Sequence, residues 1–437
     1  MGIPRICQRR LKGAAFLGLF VASSVAAPIA ARAQSVFQNA GEAIGLHFGH
    51  GAKRQESQAE ILKQARQLKE RADELSNEGR FADAEPLYRQ TLSTAEKVLD
   101  QNNEALAGTV MALANACFWE AKSDDAESLY KRAISIQTAA LGASHPAVAR
   151  ALMDLANVYQ YLEARYTDAG PLYQQADAVQ EKTPGSRSAD LALTLMNQAN
   201  LYNVLGRNTD AEALQKRALD IQQSLYGAKN YNVARTLVNL ANIYYDEGKY
   251  AEASALYASA LGMQERALGF SHPDVAITLV NEANLERAEG EYKQADAAYT
   301  RSLGVLRRLL GDNHPYVAAT AESLATVCAL EGKRQLSDSY FVFVNRVFTG
   351  RLGMTSPVSA TNAYNNAVTL YTSGQNDRAE ASLHDALYLA DTSTGPASPV
   401  AVNCWKTMSQ VASARGRSAE AVLYSQRANA LAQATAK

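Results

Sequence analysis

Eight positions, Ala84, Ala126, Ala169, Ala211, Ala253, Ala295, Ser337 and Ala379, recur at intervals of 42 residues with a single interval of 43, and seven of the eight are alanine. A period of this length means one small unit copied many times. A unit too small to bury its own apolar face is stable only when stacked on its neighbours. The chain is therefore expected to be a solenoid, with its working surface spread over several repeats.

A second ladder of mostly small residues follows seven positions later, at Thr91, Ala133, Ala176, Ala218, Ala260, Ser302, Val344 and Ala386. Between the two stand Tyr88, Tyr130, Tyr173, Gln215, Tyr257, Tyr299, Phe341 and Leu383. Spacings of four and three place these three positions on one face of a helix, so a neighbouring helix can approach closely and be filled by one large side chain. Twelve residues before each rung of the first ladder comes another alanine, at Ala72, Ala114, Ala156, Ala199, Ala241, Ala283, Ala325 and Ala367, apart from one interval of thirteen. Around Ala241, Leu237, Leu240 and Tyr244 complete an i, i+3, i+4, i+7 stripe. Each unit is thus two helices. The break between them falls at Gly79, Ala121, Ala164, Gly206, Gly248, Gly290, Gly332, Gly374 and Gly416, where a left-handed residue is cheapest as glycine. Nine such turns imply about nine helix pairs.

Taken together, Leu237, Leu240, Ala241, Tyr244, Ala253, Tyr257 and Ala260 resemble the tetratricopeptide repeat. The unit exceeds that family's usual length of about 34 residues. The excess lies in the inter-repeat segments ALGASHPAVA (140–149), ALGFSHPDVA (267–276) and LLGDNHPYVA (309–318), which resemble the 42-residue repeat of kinesin light chains and their bacterial relatives. The resemblance covers residues 57–434 and implies an all-α fold, a right-handed α-α superhelix of about nine helix-turn-helix repeats. In each segment a glycine (Gly142, Gly269, Gly311) ends one helix. Ser144, Ser271 and Asn313 are expected to cap the next, and Pro146, Pro273 and Pro315 to occupy its first turn. The recurrence of His145, His272 and His314 at helix starts reads as capping or packing rather than metal ligation. Two later repeats keep Ser356-Pro357 and Ser398-Pro399 but lack the histidine.

Residues 1–33 have a different composition. Arg5, Arg9, Arg10 and Lys12 precede an apolar stretch from Ala14 to Ala27, and Ala31-Arg32-Ala33 offers a small-x-small cleavage site, the pattern of a signal peptide. The apolar stretch falls short of the about 20 residues a spanning helix needs, so no integral membrane span is expected after cleavage, a retained anchor being the alternative. Export is expected, to a periplasm or by secretion. Residues 34–56, which include His47 and His50, read as a flexible leader to the repeats. The whole chain carries a net charge of −1, and without the five basic residues of its first 33 positions it falls to about −6, which argues against a nucleic-acid partner. Cys117, Cys328 and Cys404 are too few and too widely spaced for a disulfide framework. Cys117 and Cys328 stand where other repeats place Tyr159, Tyr202 and Tyr244, and read as small core fillers.

The chain contains no phosphate-binding glycine loop, no HExxH, no GxSxG and no paired CxxC, and the repeats leave no stretch large enough for a separate catalytic domain. A non-enzymatic protein without metal or cofactor is expected. Asparagine is the feature that points to a task. Asn115, Asn157, Asn200, Asn242 and Asn284 each follow the small residue of a first helix, while Asn197, Asn239 and Asn281 stand two residues before it. The resemblance implies that such asparagines line the concave face of the superhelix and hydrogen-bond the backbone of an extended peptide. An amide both donates and accepts, so a row of them suits main-chain groups of any sequence. Trp119 and Tyr245 are candidate aromatic anchors beside the row, and Arg150 and Arg235 candidate partners for a carboxylate. The expected function is a protein-protein interaction scaffold holding a peptide or helix of a partner across Asn157 to Asn284. In the bland alternative the asparagines satisfy groups between adjacent helices, or face solvent. Farther along, Thr326 and Val368 replace the asparagine, and the helix SYFVFVNRVF is apolar on more than one face. Phe341 and Phe343 there mark either a more buried helix or a second interface, the latter making the chain a homo-oligomeric structural envelope protein.

Overall fold

A computed structural model of the chain describes residues 52–435 apart from 183–187, 353–356, 394, 396 and 397. The expected signal peptide (1–33), and the leader up to residue 51, lie outside the described residues. Eighteen α-helices follow one another: α1 (Ala52–Asn77), α2 (Phe81–Ala95), α3 (Glu104–Trp119), α4 (Ser123–Leu141), α5 (Pro146–Asn157), α6 (Tyr166–Lys182), α7 (Ala189–Val204), α8 (Asn208–Tyr226), α9 (Tyr231–Glu247), α10 (Tyr250–Leu268), α11 (Pro273–Glu289), α12 (Tyr292–Leu310), α13 (Pro315–Leu330), α14 (Arg334–Leu352), α15 (Pro357–Thr372), α16 (Asn376–Ser393), α17 (Pro399–Ala414) and α18 (Ser418–Thr435). They form nine first-helix, second-helix pairs. Because α1 starts at Ala52, the helical array begins five residues before the expected boundary at residue 57.

The helices fall into two compact units, α1–α9 ending at Gly248 and α10–α18 starting from Lys249. Within each unit every helix packs on the one before and the one after it. First helices of successive repeats also meet, α1 with α3, α5 with α7 and α7 with α9 in one unit, α13 with α15 and α15 with α17 in the other. The three small-residue ladders supply the closeness this requires. Every rung is buried, from Ala72, Ala84 and Thr91 at 0 % exposure to Ser337 at 4 %. Tyr88, Tyr130, Tyr173, Tyr257 and Tyr299, at 0–2 %, fill the space between rungs. The core of the first unit runs without a break from Leu62 to Ile243.

The turns follow the sequence closely. All nine intra-repeat turn residues have positive φ, including Ala121 (56°) and Ala164 (52°), the only non-glycines in that region among the described residues. The caps differ from expectation in one respect. His145, His272 and His314, not the residue before them, are the N-caps, each accepting through Nδ1 from the backbone N–H two residues on at 3.1 Å. Asn230 fills the same role where the histidine is missing. An imidazole can cap because the following proline fixes the entry to the helix and brings that N–H within reach of Nδ1.

The single 43-residue interval also has a structural counterpart. Between Ala156 and Ala164 the chain carries one residue more than its sister repeats, and Val158–Leu162 is a π-helical turn that absorbs it. Its effect is local. Gln160 turns inward to 5 % exposure, and its Oε1 lies 2.8 Å from the Tyr173 hydroxyl.

A recurring polar contact between repeats went unread in the sequence. The residue after the first-ladder alanine is often acidic. Tyr159 donates to Glu127 at 2.8 Å and Tyr244 to Glu212 at 3.1 Å. The guanidinium of Arg165 lies 4.1 Å from the Tyr159 ring centroid, and that of Arg207 stands likewise over Tyr202. Where a cysteine replaces the tyrosine, a lysine reaches the acid instead, Lys122 to Glu85 and Lys333 to Asp296.

Holding an alanine at positive φ costs about 1–2 kcal/mol, partly offset by the greater freedom glycine would have in the unfolded chain. Ala121→Gly and Ala164→Gly should therefore each raise stability by about 0.5–1 kcal/mol, read as a higher urea midpoint at unchanged m-value. A lower midpoint would contradict the left-handed assignment.

Candidate functional site

The first-helix asparagines do not form one uniform row of idle amides. In the unit α1–α9, Asn115 and Asn157 are half-buried, and the oxygen of each is held by the tyrosine of the second helix in the same repeat. Tyr130 Oη donates to Asn115 Oδ1, and Tyr173 Oη to Asn157 Oδ1 at 2.6 Å. Asn157 Oδ1 also accepts from Asn197 Nδ2, one repeat further on, at 3.1 Å. Asn200 lies against the Tyr161 hydroxyl, because its own repeat has Gln215 in place of the tyrosine and Gln215 turns to the Thr236 carbonyl. Asn239 is buried at 4 % exposure, with Nδ2 unpartnered among the described residues, and Asn242 is half-buried. In the unit α10–α18 the pattern repeats. Tyr299 Oη donates to Asn284 Oδ1 at 2.7 Å, while Asn281, at 7 % exposure, has an unpartnered buried Nδ2.

The expectation that these amides both donate and accept toward a ligand is therefore corrected for Asn115, Asn157 and Asn284. Their acceptor is taken by a tyrosine, which is what satisfying groups between adjacent helices means in practice. Their Nδ2 groups donate to nothing among the described residues, and none of the three is buried. The face offers donors.

Other expected contacts are already engaged. Arg150 pairs with Asp190 at 2.7 Å and with Asp154 at 3.7 Å, so its charge is committed within the unit. Arg235 and Tyr245 are half-buried on α9. Trp119 stacks on Phe81, with centroids 5.3 Å apart and planes 12° from parallel, and meets Phe118 edge-on, so it closes the packing between repeats instead of standing free. Phe341 and Phe343, expected to mark either a more buried helix or a second interface, are buried at 5 % and 8 %. The guanidinium of Arg307 covers Phe343 at 4.7 Å from its centroid, and only Val342 between them is exposed, at 70 %. The second apolar face of α14 is thus used inside its own unit. In the repeats without the asparagine, Thr326 turns its hydroxyl to the Glu322 carbonyl, and Asn365 Nδ2 donates to the Glu322 carboxylate at 2.9 Å.

Among the described residues one group has ligating atoms close enough for a metal: Glu85, Cys117 and Asp125, within 4.8 Å of one another. Arg89 already donates to Glu85 at 2.8 Å and to Asp125 at 2.5 Å, and Lys122 donates to Glu85. Burial pushes the Cys117 thiol up to about 11. An ion would have to displace two cations and deprotonate the thiol, so the arrangement fits an ion-pair hub and not a metal site.

Buried carboxyls make stability depend on pH. Burial pushes Asp154 up to about 6 against the opposing pull of Arg150, and pushes Glu322 up to about 7. Glu286 rises to about 7 through burial and then through Glu282, Glu289 and Glu291. Unfolded, such groups lose their proton near pH 4. Between about pH 4 and 7 these groups hold more protons in the native state than in the unfolded one, so the stability they contribute falls as pH rises through that window and is level on either side. Glu127, held below the usual range by Lys131, and Glu380, held there by Arg417, act in the opposite sense only at lower pH. The urea midpoint should be higher at pH 5 than at pH 7.5, by the equivalent of roughly 1–3 kcal/mol. Asp154→Asn should remove part of the difference. A midpoint that rises with pH would contradict the assignment.

The tetratricopeptide repeat family matches residues 105–182, 190–266 and 274–341 in one form and residues 61–104 in another. Among solved structures the chain is similar to the apo form of the quorum sensor NprR from B. thuringiensis, at 16% identity over 86% of this chain and 99% of that one, with a TM-score of 0.60. It is similar to aspartyl phosphate phosphatase F from Bacillus subtilis at 12% identity, over 85% and 94% of the two chains, with a TM-score of 0.51. A kinesin-light-chain-like protein of Podosopora anserina, with nearly identical TPR-like repeats, aligns at 22% identity over 48% and 98%, with a TM-score of 0.41. No curated protein matches the chain in sequence. With its paired helices, its buried ladders and more than half its length matched, the chain belongs to the tetratricopeptide repeat family.

Proposed function

We propose that this protein is an interaction scaffold that holds an extended segment of a partner protein against the first helices of α1–α9, and that it works by binding alone. The observation that carries the reading is the pair of half-buried amides, Asn115 and Asn157, whose oxygens are taken and whose donors remain open. An open donor set in a partly desolvated surface suits the carbonyls of a main chain added from outside. Self-association through Phe341 and Phe343 finds less support, since both rings are buried within their unit. The basic start and apolar stretch of residues 1–33 support export, to a periplasm or the exterior.

A displayed dodecapeptide library selected on the immobilised protein tests the reading. The control is a variant in which donors are removed without leaving buried groups unpaired. Asn115→Leu with Tyr130→Phe removes both partners of one hydrogen bond, which is close to neutral for stability. Asn157→Leu leaves Tyr173 with Gln160. The triple variant should keep its helical circular dichroism and lose at least about tenfold in affinity for selected peptides. Selected peptides that bind it as well as the parent protein, or a library that yields no binder, would sink the reading.

A further inference from the structure

We infer that the second-helix tyrosines Tyr130 and Tyr173 are positioning residues that fix the amides of Asn115 and Asn157 donor-outward, so that this face recognises main-chain carbonyl oxygens and not main-chain N–H groups. The inference rests on the peptide-binding reading above and adds the polarity of its contacts.

Three observations carry it. The hydrogen bond recurs at the same repeat positions, Tyr130 with Asn115, Tyr173 with Asn157 and, in the other unit, Tyr299 with Asn284. Its lengths of 2.6 Å and 2.7 Å in the last two lie near the usual length for a hydroxyl donating to a carbonyl oxygen and at or below the short end of the range for an amide N–H donor. The three tyrosines are buried at 0–2 % exposure, so their hydroxyls have almost no solvent to turn to and the asparagine oxygen is the acceptor within reach.

An unconstrained asparagine side chain can turn over and offer either end. At Asn115 a turn would set an amide N–H against a hydroxyl whose proton points at it; at Asn157 the single Tyr173 proton is shared between Asn157 Oδ1 and Gln160 Oε1, and the hold comes also from the next repeat. There a turn would set Nδ2 against Asn197 Nδ2, which now donates to the oxygen at 3.1 Å. Asn157 is thus held by Asn197 Nδ2 of the next repeat and by the Tyr173 hydroxyl, whose proton it shares with Gln160. The ligand group that matches is a neutral acceptor. Arg150, two turns before Asn157 on the same helix, is committed to Asp154 and Asp190, so its charge is not on offer to a carboxylate. The polarity is decided by tyrosines that the ligand never touches.

The probe is the tightest peptide from the library selection, prepared with single N-methylated bonds, which lose a donor, and with single reduced bonds, which lose the carbonyl acceptor. Against the parent protein, reduction of the bonds facing the amides should weaken binding about tenfold or more, while N-methylation of the same bonds changes it less than about threefold. Tyr130→Phe with Tyr173→Phe should retain the helical circular dichroism, bind the unmodified peptide about three- to tenfold more weakly, and discriminate less between the two kinds of modified peptide. Equal losses on N-methylation and reduction, or discrimination unaltered in the double phenylalanine variant, would overturn the inference while leaving peptide binding intact. Indifference to the Asn115 and Asn157 replacements would instead overturn the binding reading, and the inference with it.

Discussion

What the structure depends on is the near absence of side chain beyond Cβ at three positions of every repeat. Helices can come together closely enough to stack two to a repeat only where nothing larger intervenes, and the buried rungs from Ala72 to Ala386 meet that condition. Close approach then makes room for one large residue per repeat, a tyrosine in five of the eight. A buried tyrosine needs a partner for its hydroxyl, and in three repeats an asparagine of the first helix supplies it. The half-buried amides of Asn115, Asn157 and Asn284 are in this sense a product of the packing beneath them.

This dependence explains what could and could not be read from the residues. Helix pairing, the nine turns and the burial of the ladders follow from periodicity alone, because each repeats the same constraint and the repeats reinforce one another. Cap identity did not follow. Ser144 and His145 are both able to accept a hydrogen bond, and only backbone geometry decides that the imidazole does so. The fate of Phe341 and Phe343 was hidden for a related reason, since a helix with two apolar faces looks the same whether its second face meets a partner or its own unit.

The candidate site was legible in its residues and not in its polarity. Counting asparagines locates Asn115, Asn157 and Asn284, but one column of the repeat does not say whether an amide faces a ligand or satisfies a neighbouring helix, and here its two ends do different things. The signal that would have decided this was present, since a tyrosine stands 15 or 16 residues after each of them. So was the signal for the contact between repeats, in the acid that often follows a ladder alanine and the Lys or Arg about 37 residues on. Both are pairings between positions, invisible to a search that treats one column of the repeat at a time. Charges that look available in isolation, such as Arg150, are the least legible of all, because a partner 40 residues away can claim them.

The π-helical turn at Val158–Leu162 has a consequence for any ligand that lies along several repeats. A perfectly periodic track has no origin, so an extended chain bound to it could slip by one repeat and find the same contacts again. One extra residue removes that degeneracy. It gives a single repeat an inward-turned Gln160, and with it a Tyr173 hydroxyl that faces two amides where Tyr130 and Tyr299 each face one. For a strand bound as proposed, the irregular repeat would be a mark that sets one register apart from those a repeat away.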